Sequence, residues 1–236
     1  MMEETSIPKH IAIIMDGNRR WAKQRNIETK LGHKEGAENL KRIAKHANQK
    51  GIKYLTVYAF STENWKRTKE EIGALMILLQ KYVEDFLKDD NLDNIRVNVI
   101  GDISKLEKGL QKSIQKIVEK SKENTGLTLN IAFNYGGRAE IVKAMQKIGN
   151  QIKNEEIQIE DINEELVEKS LYTQGMPEPD LLIRTGGQQR ISNFLLWQLA
   201  YTEFVFVSKY WPDFSNEDLD EAIRNFESRN RNFGGK

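Results

Sequence analysis

Apolar positions along the chain alternate between two rhythms, and the alternation predicts the architecture. Residues 10–15 form an unbroken isoleucine-rich run that ends at Asp16-Gly17, the pattern of a strand buried on both faces. A helical segment follows over 36–49 and stops at Gly51; residues 52–60 read as a second strand. Thr68-Lys-Glu-Glu71 has the spacing of a capping box. It opens a helix whose apolar positions Ile72, Leu75, Met76, Leu79, Val83 and Phe86 recur at helical period. Further strands are predicted at 95–100, 127–133, 180–184 and 204–207. Between them, Ser104-Lys-Leu-Glu107 is expected to cap a helix carrying Leu106, Leu110, Ile114 and Ile117. A second stripe runs Ile141, Val142, Met145, Ile148, and Ser215 to Asp218 opens a last helix with Leu219, Ala222, Ile223 and Phe226. Strands alternating with helices, without internal repeats or a low-complexity linker, predict one α/β domain. Its central sheet should be mostly parallel and flanked by helices.

Composition narrows the function. The 236 residues include 36 Lys+Arg and 35 Asp+Glu, for a net charge of +1. That balance does not suit a protein built to neutralise a nucleic-acid backbone, so no nucleic-acid partner is expected. Cysteine is absent, and the three histidines (His10, His33, His46) are widely spaced, which excludes disulfides and cysteine-based zinc sites and argues against a histidine cluster. No apolar run approaches the length of a membrane span, and the acidic start lacks the apolar region of a signal peptide. A cytoplasmic location is the expectation.

Ligands of parallel sheets collect at the carboxyl ends of the strands, and the predicted ends share one chemistry. The first runs into Asp16-Gly-Asn-Arg-Arg-Trp21, the second into Ser61-Thr-Glu-Asn-Trp-Lys-Arg67. The fourth reaches Asn134-Tyr-Gly-Gly-Arg138, and the fifth Arg184-Thr-Gly-Gly-Gln-Gln-Arg190-Ile-Ser192. Any one of these reads equally well as a turn, a cap or a solvated face. Arginine, glycine, asparagine and serine at four ends together point to an anionic, phosphorylated substrate. No Walker or dinucleotide-binding glycine pattern is present. A diphosphate calls for Mg²⁺, with Asp16 and Glu203 as candidate carboxylates. Asp89-Asp-Asn-Leu-Asp93 spells a known diphosphate-metal pattern but falls at a helix end with no second copy, so it reads as a solvated turn. Residues 74–79 are six consecutive apolar residues covering every side of a helix. That helix is either sandwiched in the core or faces an apolar cavity suited to a hydrocarbon tail.

The blocks His10–Asn18 with Arg20-Trp21, Gly32–Gly36, Tyr58–Trp65 with Arg67, Asn124–Asn130, Asn134–Arg138, Arg184–Gly187, Arg190–Gln198 and Trp211–Phe214 resemble the cis-prenyltransferases, the bacterial undecaprenyl diphosphate synthases among them. The similarity extends over nearly the whole chain. It implies a homodimer of single domains with an apolar tunnel. It also implies head-to-tail condensation of isopentenyl diphosphate onto farnesyl diphosphate, giving a long-chain product such as undecaprenyl diphosphate, the precursor of a cell-wall lipid carrier. Peripheral membrane association for product release is a further expectation. By the same resemblance Asp16 governs Mg²⁺ and the leaving group, with Glu203 as a second metal ligand. Gly17, Asn18, Arg19, Arg20, Trp21 and His33 hold the allylic diphosphate, and Arg67, Arg184, Arg190 and Ser192 the isopentenyl diphosphate. Ser61, Glu63, Asn64 and Trp65 lie near the reacting carbons, with Asn64 and Ser61 candidates for proton removal. Residues 1–9 are expected to be a flexible start, and 228–236 a tail near the partner's site.

The chain departs from the family pattern at Arg19, at Thr29 (with Lys30 as a substitute cation), at Gln188 and Gln189, and at Asn232, where Arg229 or Arg231 could take over. Two alternatives of other classes are a non-catalytic family member, which would lack the aspartate of the first strand, and a Mg-dependent phosphohydrolase, which would not need the apolar helix.

Overall fold

In the computed structural model, which describes residues 7–88 and 92–229, all six predicted strands form and pair into one sheet. They are β1 (His10–Ile14), β2 (Tyr54–Ser61), β3 (Arg96–Ile100), β4 (Thr128–Tyr135), β5 (Leu181–Arg184) and β6 (Glu203–Phe206), in the order β3-β4-β2-β1-β5-β6. Every pairing is parallel, so the carboxyl ends share one edge. The helices are α1 (Asn18–Gln24), α2 (Thr29–Gln49), α3 (Lys69–Lys88), α4 (Lys108–Ser121), α5 (Gly137–Lys153), α6 (Glu164–Glu168) and α7 (Asn216–Glu227).

The alternation along β1 sorts the core. Ile11 and Ile13 pack with Ile43 and Ala47 of α2 and with Leu219, Ile223 and Phe226 of α7. Ala12 and Ile14 face the other side, against Phe194, Leu195 and Leu199. A third cluster joins α3 and α4 to Phe60 and Phe133. Phe60 reaches that cluster because of a bulge. Tyr58 pairs with Ala132 and Phe60 with Phe133, so Ala59 is an extra residue in β2; the next pairs, Phe60–Phe133 and Ser61–Tyr135, make Asn134 an extra residue in β4. Each extra residue turns its successor over, at the sheet edge where ligands collect.

Several predicted features come out differently. The helix expected over 36–49 begins at Thr29, and α1 and α6 carried no clear apolar period. Ser104 does not cap α4; Asp102 accepts its N–H at 3.0 Å in a short 3-10 turn, and α4 starts later, at Lys108. The α5 stripe is only half buried. Ala144 and Ile148 face inward, while Val142 and Met145 are 54% and 67% exposed. At the amino terminus, Pro8 is buried, and Lys9 donates its N–H to Asp180 Oδ2 and accepts from Lys53 and Tyr54. Residues 8 and 9, within the stretch 1–9 expected to be flexible, are therefore held against the sheet. Asp89 and Asn232 lie outside the described residues. Asp93 pairs with Lys45 at 3.0 Å ahead of β3, at the amino edge of the sheet.

His10 ties strands together rather than serving the site. Its ring lies 2.7 Å from Pro177 O and 2.7 Å from Thr56 Oγ1, and burial holds its pKa down at about 4. The neutral ring belongs to the folded state, so its stabilisation is complete above the unfolded value near 6.5 and is lost as pH falls toward 4. Urea titrations should show about 1–2 kcal/mol less stability at pH 5 than at pH 7 from this group. Equal stabilities would mean that His10 takes up its proton inside the fold.

Candidate active site

Asp16 and Gly17 turn the chain from β1 into α1. Gly17 sits at φ 114°, and a Cβ there would lie 2.6 Å from Tyr210, so both backbone conformation and space require glycine. Gly32 and Gly36, one turn apart on α2, let α1 approach closely, since side chains there would collide with Asn18. The first N–H groups of α1 have no intrahelical acceptor and open into a cleft of about 720 Å³. Asp16, Gly17, Asn18, Arg19, Arg20, Lys23, Thr29, His33 and Arg67 all border it.

The Asp16 carboxylate lies between two guanidinium groups. Arg184 Nη2 donates to Oδ2 at 2.9 Å, and Arg20 Nη2 stands 3.0 Å from Oδ1. Arg184 is 3% exposed at the end of β5. Its Nη1 also donates to Ser192 Oγ at 2.8 Å and to the Arg190 carbonyl, while Nε is buried without a partner among the described residues. Arg20 is steadied by the Gly186 carbonyl at 2.8 Å and by the Tyr210 ring beneath it. Thr185 Oγ1 and the Trp211 N–H both donate to the Asp16 carbonyl. Among the described residues no three acidic or histidine side chains converge. One partly exposed carboxylate in an open cleft suits Mg²⁺, which fills its remaining positions with phosphate oxygens and water.

Across the cleft, Glu71 Oε1 accepts from Arg67 at 2.8 Å and lies 3.6 Å from Arg19. The sequence had placed Glu71 inside a capping box. Only half of that box forms: the Glu71 N–H donates to Thr68 Oγ1, but the carboxylate turns to the arginines. The i,i+4 spacing of Arg67 and Glu71 was the available signal. Burial, then the charge of Arg67, lowers the His33 pKa to about 4, so the ring is neutral at pH 7. Its buried Nε2 and the Asn18 Oδ1 have no partner among the described residues.

The loop after β2 completes the rim. Asn64 Oδ1 accepts the Ser61 N–H at 3.1 Å, Trp65 Nε1 donates to Asn134 Oδ1 at 2.6 Å, and Glu63 accepts from Asn193 at 2.8 Å. Asn193 also accepts the Gly137 and Arg138 N–H groups, a bracing role that the sequence did not reveal. Asn134, Ser192, Asn193 and Leu195 all carry positive φ, so backbone strain gathers at this edge.

Four residues stand apart from their expected places. Trp21 faces away from the cleft: Nε1 donates to Asp213 at 2.7 Å and Arg25 stacks on the ring, because one step beyond Arg20 rotates a side chain about 100° around α1. Glu203 is in register with Leu181, and so with Ile11, at the amino edge of the sheet, opposite to Asp16. There it pairs with Arg229 at 2.5 Å, so within one chain neither reaches the Asp16 cleft. Lys30 pairs with Glu28 at 2.7 Å and is not part of the cleft lining. Arg190 donates to Gln188 at 2.6 Å on the surface; only its carbonyl joins the Arg184 cluster.

An apolar cavity of about 150 Å³ opens from the same place, sharing Met15, Asn18 and His33 with the cleft. Leu75, Leu78, Leu79 and Phe86 of α3 form one wall, and Ile131 and Phe133 of β4 line the sheet side. Met76, within the apolar run 74–79, and Leu127, at the start of the predicted strand 127–133, do not line it. Leu127 is fully buried in the neighbouring core with Ile43 and Ala47.

A charged diphosphate-sized cleft continuous with an apolar cavity is the frame of an enzyme handling prenyl diphosphates. Residues 14–234 match the family model described as "Putative undecaprenyl diphosphate synthase". The chain belongs to this prenyltransferase family. An isoprenyl transferase of Clostridium tetani is 54% identical over 98% of this chain and 90% of its own. The ditrans,polycis-undecaprenyl-diphosphate synthase of Micrococcus luteus, named as (2E,6E)-farnesyl-diphosphate specific, is 49% identical over 97% of this chain and 92% of its own. The lavandulyl diphosphate synthase of Lavandula x intermedia, crystallised with dimethylallyl diphosphate, superposes with a TM-score of 0.94 at 40% identity. That match covers 99% of this chain and all of the lavender one.

Proposed function

We propose that this prenyltransferase condenses isopentenyl diphosphate units onto farnesyl diphosphate and releases a long polyprenyl diphosphate, undecaprenyl diphosphate being the expected product. The observation that carries the reading is the continuity of the arginine-lined cleft with the apolar cavity, which fits an amphiphile with a diphosphate head and a hydrocarbon tail. The allylic C–O bond breaks, its electron pair leaving with the diphosphate. The double bond of isopentenyl diphosphate attacks the allylic carbon, and loss of a proton restores a cis double bond. Asp16 would hold Mg²⁺, which when bound neutralises the leaving diphosphate. Arg20, Arg19, the N–H groups of Gly17 and Asn18, and the vacant Nε2 of His33 receive the allylic diphosphate. Arg184 and Ser192, already hydrogen-bonded to each other, orient isopentenyl diphosphate with Arg67. Ser61 and Asn64, fixed by their own turn, are the residues proposed to take up the departing proton.

The protein is proposed to work as a homodimer, since Val142 and Met145 leave apolar surface on α5 exposed. Met145→Glu should shift sedimentation toward the monomer; an unchanged dimer would move the interface elsewhere. Peripheral membrane contact is part of the same reading, because the product is a lipid; among the described residues no helix is long and apolar enough to cross a membrane.

A cavity of about 150 Å³ holds a benzene-sized group. That is room for about one five-carbon unit, so a lengthening chain must push back the α3 wall, where Val83 is the one buried side chain. Leu79→Trp fills this space and should shorten the products, whereas Met76→Trp, off the lining, should not. Leu127→Ala is expected to cost about 2–5 kcal/mol of stability without lengthening the product. Chromatography of products with a melting curve for each variant checks all three; unaltered lengths in Leu79→Trp would remove the cavity from chain growth.

A further inference from the structure

The outer side of the α2–α3 seam carries a second groove, of about 300 Å³. Its floor is apolar: Leu31 from α2, and Ala74, Ile77 and Leu78 from α3. Ile77 is 72% and Leu31 39% exposed, so this surface faces water directly. Its charged lining residues are three lysines, Lys30, Lys34 and Lys81, with no carboxylate among them. Lys30 is engaged by Glu28, but Lys34 and Lys81 have no ion-pair partner among the described residues. With a net charge of only +1, the chain has no general attraction to anionic surfaces, so any such attraction must be local.

The position of the groove gives it meaning. His33, Leu75 and Leu78 line both this groove and the internal cavity, so a single layer of side chains separates them. A polyprenyl chain emerging there would expose hydrocarbon at roughly 0.8 kcal/mol per CH₂, unless an apolar phase stood against the seam. Apolar side chains flanked by the cations of Lys34 and Lys81 match the boundary between acyl chains and anionic headgroups.

We propose that the α2–α3 groove docks this protein onto an anionic bilayer, Ile77 and Leu31 entering the acyl–headgroup boundary while Lys34 and Lys81 meet lipid phosphates. The inference rests on the reading that the product is a polyprenyl diphosphate, and it names the surface through which that product reaches the membrane.

Flotation of the full chain with vesicles tests it, comparing equal parts phosphatidylglycerol and phosphatidylcholine with phosphatidylcholine alone. Binding is expected on the anionic vesicles and should fall with added salt. The double variant Lys34→Gln, Lys81→Gln should bind about 30-fold more weakly, at roughly five-fold per lysine. Ile77→Ser should lose about ten-fold. Both variants should keep the wild-type melting temperature, sedimentation coefficient and, in detergent solution, product ladder. Equal binding to neutral vesicles, unweakened variants, or a changed sedimentation coefficient in Ile77→Ser would each overturn the proposal, the last by making the groove a contact between copies. A normal ladder without flotation would sink docking alone. Flotation without a ladder would sink the condensation reading instead.

Discussion

Replacing Asp16 with asparagine is expected to lower turnover by about 10²–10⁴-fold, equivalent to roughly 3–5 kcal/mol of lost charge stabilisation, while the protein keeps its fold. The amide keeps a hydrogen-bond acceptor for Arg184, which stands 2.9 Å from the carboxylate, but cannot hold the metal as a carboxylate does. Asp16→Ala should lose the same activity and also stability, because it strips the partner from a guanidinium that is 3% exposed. Single-turnover rates with a melting curve for each variant separate the two effects. Near-wild-type turnover in Asp16→Asn would remove this carboxylate from the mechanism.

Arg184→Gln should have the next largest effect, raising the Michaelis constant for isopentenyl diphosphate by about 100-fold. Arg184 is the side chain that joins Asp16, Ser192 and the Arg190 carbonyl, so its loss frees three groups at once. Losing one partner of a fully buried pair costs about 3–5 kcal/mol. Asp16 is 28% exposed and keeps Arg20, so about 1–3 kcal/mol is expected here. Steady-state kinetics at varied isopentenyl diphosphate, with a denaturant titration, reads both numbers. An unchanged Michaelis constant would assign Arg184 to holding Asp16 rather than to substrate.

The sheet was legible because its signals are local. Runs such as residues 10–15 are apolar on both faces, and a buried parallel strand needs nothing more. The cleft was legible in part for the same reason: strand ends carry their chemistry in sequence, and parallel pairing delivers those ends to one edge. What failed depended on direction or on distant partners. Trp21 belongs to the right motif but the wrong side of α1. Glu203 follows a motif segment, yet its strand register sends it to the far edge. The Ser104–Glu107 spacing fits a capping box, but Asp102 captures the Ser104 N–H first. The α5 stripe was periodic, and period alone does not say what covers a helix face; Met145 is left facing solvent. Glu71 was read only as part of a cap, although Arg67 lies four residues before it, and Asn193 escaped notice because its role comes from a partner in another segment, Glu63. The six apolar residues at 74–79 left core and cavity open, and only the arrangement of α3 against α2 and β4 decides that Leu75, Leu78 and Leu79 border a space.

The most direct test of the account is product analysis with the purified chain, farnesyl diphosphate, radiolabelled isopentenyl diphosphate and Mg²⁺. The account predicts a ladder of polyprenyl diphosphates growing by five-carbon steps to a long-chain limit, with label in every rung beyond the primer. Release of phosphate from farnesyl diphosphate without incorporation of label, or a single short condensation product with no ladder above it, would contradict it.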